Sequence, residues 1–245
     1  LMVGNEGNNE LIGGMGADTL IGLGGDDYYS VDDVGDVVVE TKGGGYDGVS
    51  ASISYTLGEN LEYAELQGSG SINLFGNSLD NRLSGNSGSN ILVGGAGSDE
   101  YGFETGFGID TVSDSSGIDD IIYFGFAQPD NAVLTRQNDD LKIVVGADSV
   151  LVTDYFAGDN PNSIERIVFW DGEWSRSDIV ARLVVSPPEN NAPTIVADMF
   201  VGNEDGVVVI EVASLLGNDS DADGDTLSVM GVSDAKHGTV SLDIQ

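Results

Sequence analysis

Residues 13–21, Gly13-Gly14-Met15-Gly16-Ala17-Asp18-Thr19-Leu20-Ile21, spell G-G-x-G-x-D-x-U-x, where U is a large apolar residue. The pattern returns in nine-residue steps, at 22–30 with Gly25, Asp27 and Tyr29 and at 94–102 with Gly95, Gly97, Asp99 and Tyr101. This is the chemistry of a hard-cation site. The aspartate supplies charge, and glycines such as Gly14, Gly16, Gly25, Gly95 and Gly97 take positive φ without steric cost, so that backbone carbonyls can crowd around an ion. The closing x-U-x is a minimal strand. If one nonapeptide is half a coil, 18 residues make a full turn, and successive turns stack at roughly 4.8 Å. Calcium spans that gap, because Ca–O distances of about 2.3–2.6 Å place opposite ligands about 5 Å apart. Two carboxylates cannot fill the roughly 6 to 8 oxygen positions around calcium, so turn carbonyls must supply most of the rest. The spacing pairs Asn9 with Asp27, Asp18 with Asp36, and Asn81 with Asp99.

The register extends beyond the clear copies. A first block spans residues 4–50, with position-six residues Asn9, Asp18, Asp27, Asp36 and Asp47, the last after a two-residue insertion. A second block, 76–122, carries Asn81, Asn90, Asp99, Asp110 and Asp119, with another two-residue insertion before Thr105. Ten positions keep an apolar U. Asn at position six is neutral and predicts weaker binding at Asn9, Asn81 and Asn90. Stacked carboxylates repel unless a cation lies between them. Residues 1–122 are therefore expected to need calcium to fold. Zinc is disfavoured, since there is no cysteine and His237 is the one histidine.

Composition narrows the function classes. Asp and Glu number 42 against 8 Lys and Arg, a formal charge of −34, which opposes binding to nucleic acid or an anionic membrane surface. No stretch approaches a membrane span, and residues 1–4 have neither the charged nor the apolar region of a signal peptide. The chain reads as a fragment that starts mid-repeat. Zero cysteines and calcium-dependent folding suit a secreted or bacterial cell-surface location.

These nonapeptides resemble the RTX (repeats-in-toxin) haemolysin-type repeats of secreted bacterial proteins. The resemblance implies an all-β chain, with a right-handed parallel β-roll (RTX β-solenoid) at 1–122 and a β-rich capping region at 123–185. Residues 51–75, including Ser52-Ile53-Ser54-Tyr55-Thr56-Leu57-Gly58, resemble the spacer found between RTX blocks and read as a coil with wider loops. Alternating segments around Ile121–Phe124, 132–136, 141–145, 150–154 and 164–170 predict cap strands. The segment ending Phe169-Trp170-Asp171-Gly172 resembles the haemolysin-type cap, which would cover the exposed end of the solenoid. Trp170 and Trp174 fit either that cap's core or a sugar-stacking platform.

Ser186-Pro187-Pro188-Glu189-Asn190-Asn191-Ala192-Pro193 has linker composition. Residues 194–245 resemble the cadherin-like, immunoglobulin-like modules of large bacterial adhesins, through Glu204-Asp205-Gly206 and the acidic run 216–227. They are too few for a whole sandwich, which predicts a partial β-sandwich with strands at 207–212 and 227–232. Asp219, Asp221 and Asp223 are candidate calcium ligands. An EF-hand is disfavoured, because its twelfth position would be Met230 where a bidentate Glu is needed.

Catalysis finds no support: there is no G-x-S-x-G elbow, no H-E-x-x-H, and one histidine. The leading reading is a non-enzymatic calcium-binding structural segment of a large adhesin exported by type I secretion, with several bound Ca2+ ions. Its expected partners are a cell-surface glycan or protein ligand and neighbouring modules of a longer polypeptide. The alternatives are the non-catalytic RTX tail of a secreted enzyme or toxin, and a glycan- or peptide-binding module.

Overall fold

The computed structural model describes residues 1–114, 116–157, 164–183, 192–201, 203, 206–221, 226–233 and 239–242. The chain divides into two compact units, Leu1–Val185 and Ser186–Gln245.

In the first unit the x-U-x segments are too short to pair locally, so each finds its partner one coil away, in parallel. Glu10–Ile12 pairs with Tyr28–Val31, which pairs with Gly48–Ala51. That sheet continues through Tyr63–Leu66, Arg82–Ser84, Glu100–Phe103, Ile121–Phe124, Arg166–Phe169 and Gly172–Ser175, nine strands in all. Its inward residues form one ladder: Leu11, Tyr29, Val49, Ala64, Leu83, Tyr101, Ile122, Ile167 and Trp174 are register partners in turn. All of them are buried. The facing side of the roll is two sheets. Met2–Val3, Thr19–Ile21 and Val37–Val39 make a three-stranded one, and a seven-stranded one begins at Tyr55–Thr56. Leu20, Leu74, Leu92 and Val112 fill the core from this side.

The segment 51–75 stays within the coil. Tyr63–Leu66 lies between Gly48–Ala51 and Arg82–Ser84, and Leu74–Phe75 pairs with both Tyr55–Thr56 and Ile91–Val93. Beyond residue 122 the roll changes from parallel to antiparallel pairing. Asp148–Val152 adds in parallel to Ile109–Ser113, then Asp140–Val145 and Ala132–Gln137 follow antiparallel. Gly172–Ser175 closes the other sheet in the same way. Turning the chain back on itself replaces an open solenoid end with hairpins. Phe103, Phe107, Phe124, Phe126 and Phe169 pack ring to ring beneath them. Trp174 joins that cluster, with its ring 4.6 Å from Phe169 by centroid, whereas Trp170 is 74% exposed. The two tryptophans therefore do not share one stacking face. Ser175 caps a short helix, Arg176–Ala181, that buries Ile179.

In the second unit, described residues form an antiparallel bridge between Thr194 and Ser220 and a one-turn helix, Val212–Leu215. Val207, Val209 and Met230 are exposed.

Candidate metal centres

At most turns, the backbone N–H of the position-six residue donates to the carboxylate of the next turn. Asn9 donates to Asp27 Oδ1 at 2.7 Å, Asp18 to Asp36 at 2.9 Å, and Asn81 to Asp99 at 2.7 Å. The ladder continues across the insertions: Asp27 to Asp47, Asn90 to Asp110, and Asp99 to Asp120. It ends on residues outside the repeats, with Asp47 donating to Glu62 Oε2, Asp120 to Glu165 Oε2, and Gly108 to Asp148 Oδ1. Gly14, Gly16, Gly25, Gly95 and Gly97 all have positive φ, the conformation that aims successive peptide groups into the turn.

One oxygen of each carboxylate is thus satisfied. The second oxygens of Asp27, Asp47, Asp99, Asp110 and Asp120 are buried and find no hydrogen-bond donor. A carboxylate in that state is costly. Burial, reinforced by neighbouring carboxylates, pushes Asp47 up to about 6 and Asp99, Asp110 and Asp120 up to about 7. Two groups stand out: Asp27, Glu40 and Asp47, and Asp99, Asp114 and Asp120, each offering one carboxylate oxygen within 4.8 Å of the other two. Hard oxygens that are buried, charged and short of donors fit a hard cation such as calcium. Bound there, calcium would supply the positive charge that, among the described residues, no ion pair provides.

Other candidate ligands meet different fates. Asn81 and Asn90 are buried but satisfied, because Oδ1 accepts the Asn77 and Asn86 N–H groups while Nδ2 donates to Leu61 and Ile72 carbonyls. Asn9 likewise accepts the Asn5 N–H. Asp36 accepts three backbone N–H groups, from Asp18, Asp32 and Asp33. Burial pushes its carboxyl up, but those three donors outweigh it and hold Asp36 below the usual range. Asp119 is displaced from the site. The coil between Asp99 and the next position six holds one more residue than the two-residue insertion predicts, so Asp120 and Ile122 take the inward places. Asp119 turns outward and pairs with Arg166 at 2.7 Å, which lowers its pKa. Asp219 accepts the Val196 N–H at 2.7 Å. Asp221 is half-buried, and Asp223 lies outside the described residues.

Glu40, Glu62, Asp114, Asp120, Asp148 and Glu165 are the site residues that motif matching overlooks. Two of them are readable by counting: Glu40 stands 18 residues after Gly22, and Asp114 stands 20 after Gly94, each where a turn's first glycine is expected.

The turns, the ladder and the donor-poor carboxylates agree with the family comparison. The model of the RTX calcium-binding nonapeptide repeat matches residues 2–38 and 75–102. The chain carries RTX calcium-binding repeats. A haemolysin-type calcium binding protein related domain matches residues 141–178, over the cap, and a cadherin-like domain matches 189–245. No curated protein matches the chain. Among solved structures it is similar to the extracellular lipase LipA from Serratia marcescens, at 17% identity and a TM-score of 0.24. That similarity covers 67% of this chain and 39% of the lipase. The RTX repeats give the first unit a calcium-binding structural role. Among the described residues no helix is long and apolar enough to cross a membrane.

Proposed function

We propose that this RTX chain is a structural segment of a large bacterial adhesin, secreted or held at the cell surface, whose first unit folds outside the cell as several calcium ions bind. The observation that carries the folding half of this reading is the set of five buried aspartate oxygens without donors. At low calcium those charges oppose the compact roll, and at the higher calcium of an extracellular medium, where modules bind at about 10⁻⁴–10⁻³ M, the ions offset them. A formal charge of −34 adds to the expansion of the calcium-free chain. The adhesin half is supported by the cadherin-like match that follows the repeats in the same polypeptide. Its partners in this reading are neighbouring modules and a cell-surface glycan or protein, and the chain itself performs no catalysis.

Circular dichroism of the whole chain tests the folding half. In EGTA at about pH 8 the β signal is absent, and millimolar calcium restores it. A β spectrum unchanged by EGTA overturns the reading.

A further inference from the structure

We infer that the triads Asp27–Glu40–Asp47 and Asp99–Asp114–Asp120 are two equivalent, preferred cation sites that hold calcium more tightly than the remaining turns. This rests on the calcium-binding reading above and adds a division of labour to it. The two groups match part for part. Gly4 N–H donates to Ile21 O and Gly22 N–H to Val39 O, so Gly4, Gly22 and Glu40 occupy one position in successive coils. Val93 pairs with Ser113 as Ile21 does with Val39, so Asp114 follows Gly94 by register, although the Gly94 N–H donates to Tyr101 Oη. In both places an acidic side chain has replaced the first glycine of a turn. Beneath it lies a tyrosine at the U position: Tyr29 donates to Glu40 Oε1, and Tyr101 donates to Asp114 Oδ2 at 2.6 Å. Among the ten U positions these are the tyrosines, and each hydroxyl meets one triad.

The second observation is the state of the aspartates. Asp27, Asp47, Asp99 and Asp120 are 0–2% exposed, and the Oδ2 atom of each is unpartnered. A Cβ on Gly22 would collide with Tyr29 Oη, Asp27 Oδ2 and Glu40 Oε1, and one on Gly94 would collide with Asp99 Oδ2 and Tyr101 Oη. Absence of a side chain at those two glycines is what leaves room for the oxygens to converge. Elsewhere, as at Val31 and Thr105, the first position carries no acid, and among the described residues no other three acidic side chains converge in this way. Charge count tunes calcium affinity. Three carboxylates around one divalent ion still leave net negative charge, so a trivalent lanthanide is the stronger ligand and a suitable probe.

The test is calorimetric titration of the calcium-stripped whole chain, alongside terbium emission excited through tyrosine. A tight class of two ions precedes a weaker class. Glu40→Gln and Asp114→Asn each remove one tight ion, weakening it by about tenfold or more, while Asp36→Asn leaves both. Terbium emission saturates with the first two equivalents and falls in Tyr29→Phe and Tyr101→Phe, whose folds with calcium are checked by circular dichroism. A single class of sites, two tight ions surviving in the Glu40→Gln, Asp114→Asn double variant, or emission that rises evenly through every site overturns the inference alone. Failure to bind any calcium overturns the reading beneath it as well. Should a carboxylate variant not fold, the unmodified chain's terbium curve decides.

Discussion

Asp36 and Asp99 occupy the same position of the same repeat, and the protein meets their charges in opposite ways. Around Asp36 the backbone curls in, and three N–H groups approach within about hydrogen-bond length, at 2.9, 3.0 and 3.1 Å. Around Asp99 one N–H, from Asn81, serves Oδ1, while Oδ2 faces Asp114 and Asp120 with no donor. Asp36 is partly open to solvent and Asp99 is not. A repeat position therefore does not define a metal ligand. What defines one is whether the peptide supplies the donors itself or leaves the charge to an ion.

The widest test of that contrast is pH. In the calcium-free roll Asp47 titrates at about 6 and Asp99, Asp110 and Asp120 at about 7, all above the unfolded value of 3.8. Raised carboxyls bind protons more tightly in the folded state, so their contribution to stability is full below about pH 4 and is lost as pH rises through about 6 to 7. Asp36, whose pKa is lowered, has the opposite sign and loses its contribution on acidification. Asp119 and Asp178 are lowered as well, and Glu62 and Glu165 are raised with the four aspartates, so the buried, raised carboxyls set the net sign. Calcium-stripped protein is therefore expected to gain β structure by circular dichroism when taken from about pH 8 to about pH 5. Saturating calcium reverses the trend, since protons then compete for ligand oxygens. A flat calcium-free profile would mean that the orphaned oxygens carry no penalty.

A single substitution sharpens the same contrast. Asp99→Asn removes a buried charge, so it stabilises the calcium-free roll by about 2 kcal/mol and destabilises the calcium-loaded roll by a similar amount. Asp36→Asn weakens both states by about 1 kcal/mol, because its donors lose a charged acceptor in either case. The signs are read by chemical denaturation in calcium and, without it, by the pH at which β structure is lost, which rises in Asp99→Asn and falls in Asp36→Asn. Equal signs for Asp99→Asn in both conditions would place it in the same class as Asp36.

The smallest effect separates neighbours. Asp120→Ala costs a bound ion by calorimetric count, whereas Asp119→Ala removes an exposed pair with Arg166, leaves the count unchanged and shifts stability by less than about 1 kcal/mol. The reverse result would restore the register read from spacing alone.

The parallel coils, the alternating core and the pairs Asn9–Asp27, Asp18–Asp36 and Asn81–Asp99 were legible because period and polarity are local properties of the sequence. Asp119 and Asp120 were not separable in that way. Both are acidic, and the choice is made by packing: Ile122, not Ile121, completes the buried ladder beside Tyr101. Glu62, Asp148 and Glu165 were hidden for another reason. They lie in segments without the repeat, and only the coil brings them under the last N–H groups of each row. Asp18, in the best copy of the motif, carries no such orphaned oxygen among the described residues. Fidelity to a consensus records turn geometry, and burial depends on what covers the turn.

The divided face of the roll has a mechanical meaning. One sheet runs unbroken from Glu10–Ile12 to Gly172–Ser175, while the opposite face is interrupted between Val37–Val39 and Tyr55–Thr56. A beam with one continuous flange and one cut flange resists bending unequally. Flexing that widens the cut separates no paired strands and loads the core, the donation from Asn60 Nδ2 to Glu40 O, and the turn ladder, where Asp27, Asp47 and Glu62 follow one another. Bending of the first unit is therefore expected to concentrate at residues 40–54.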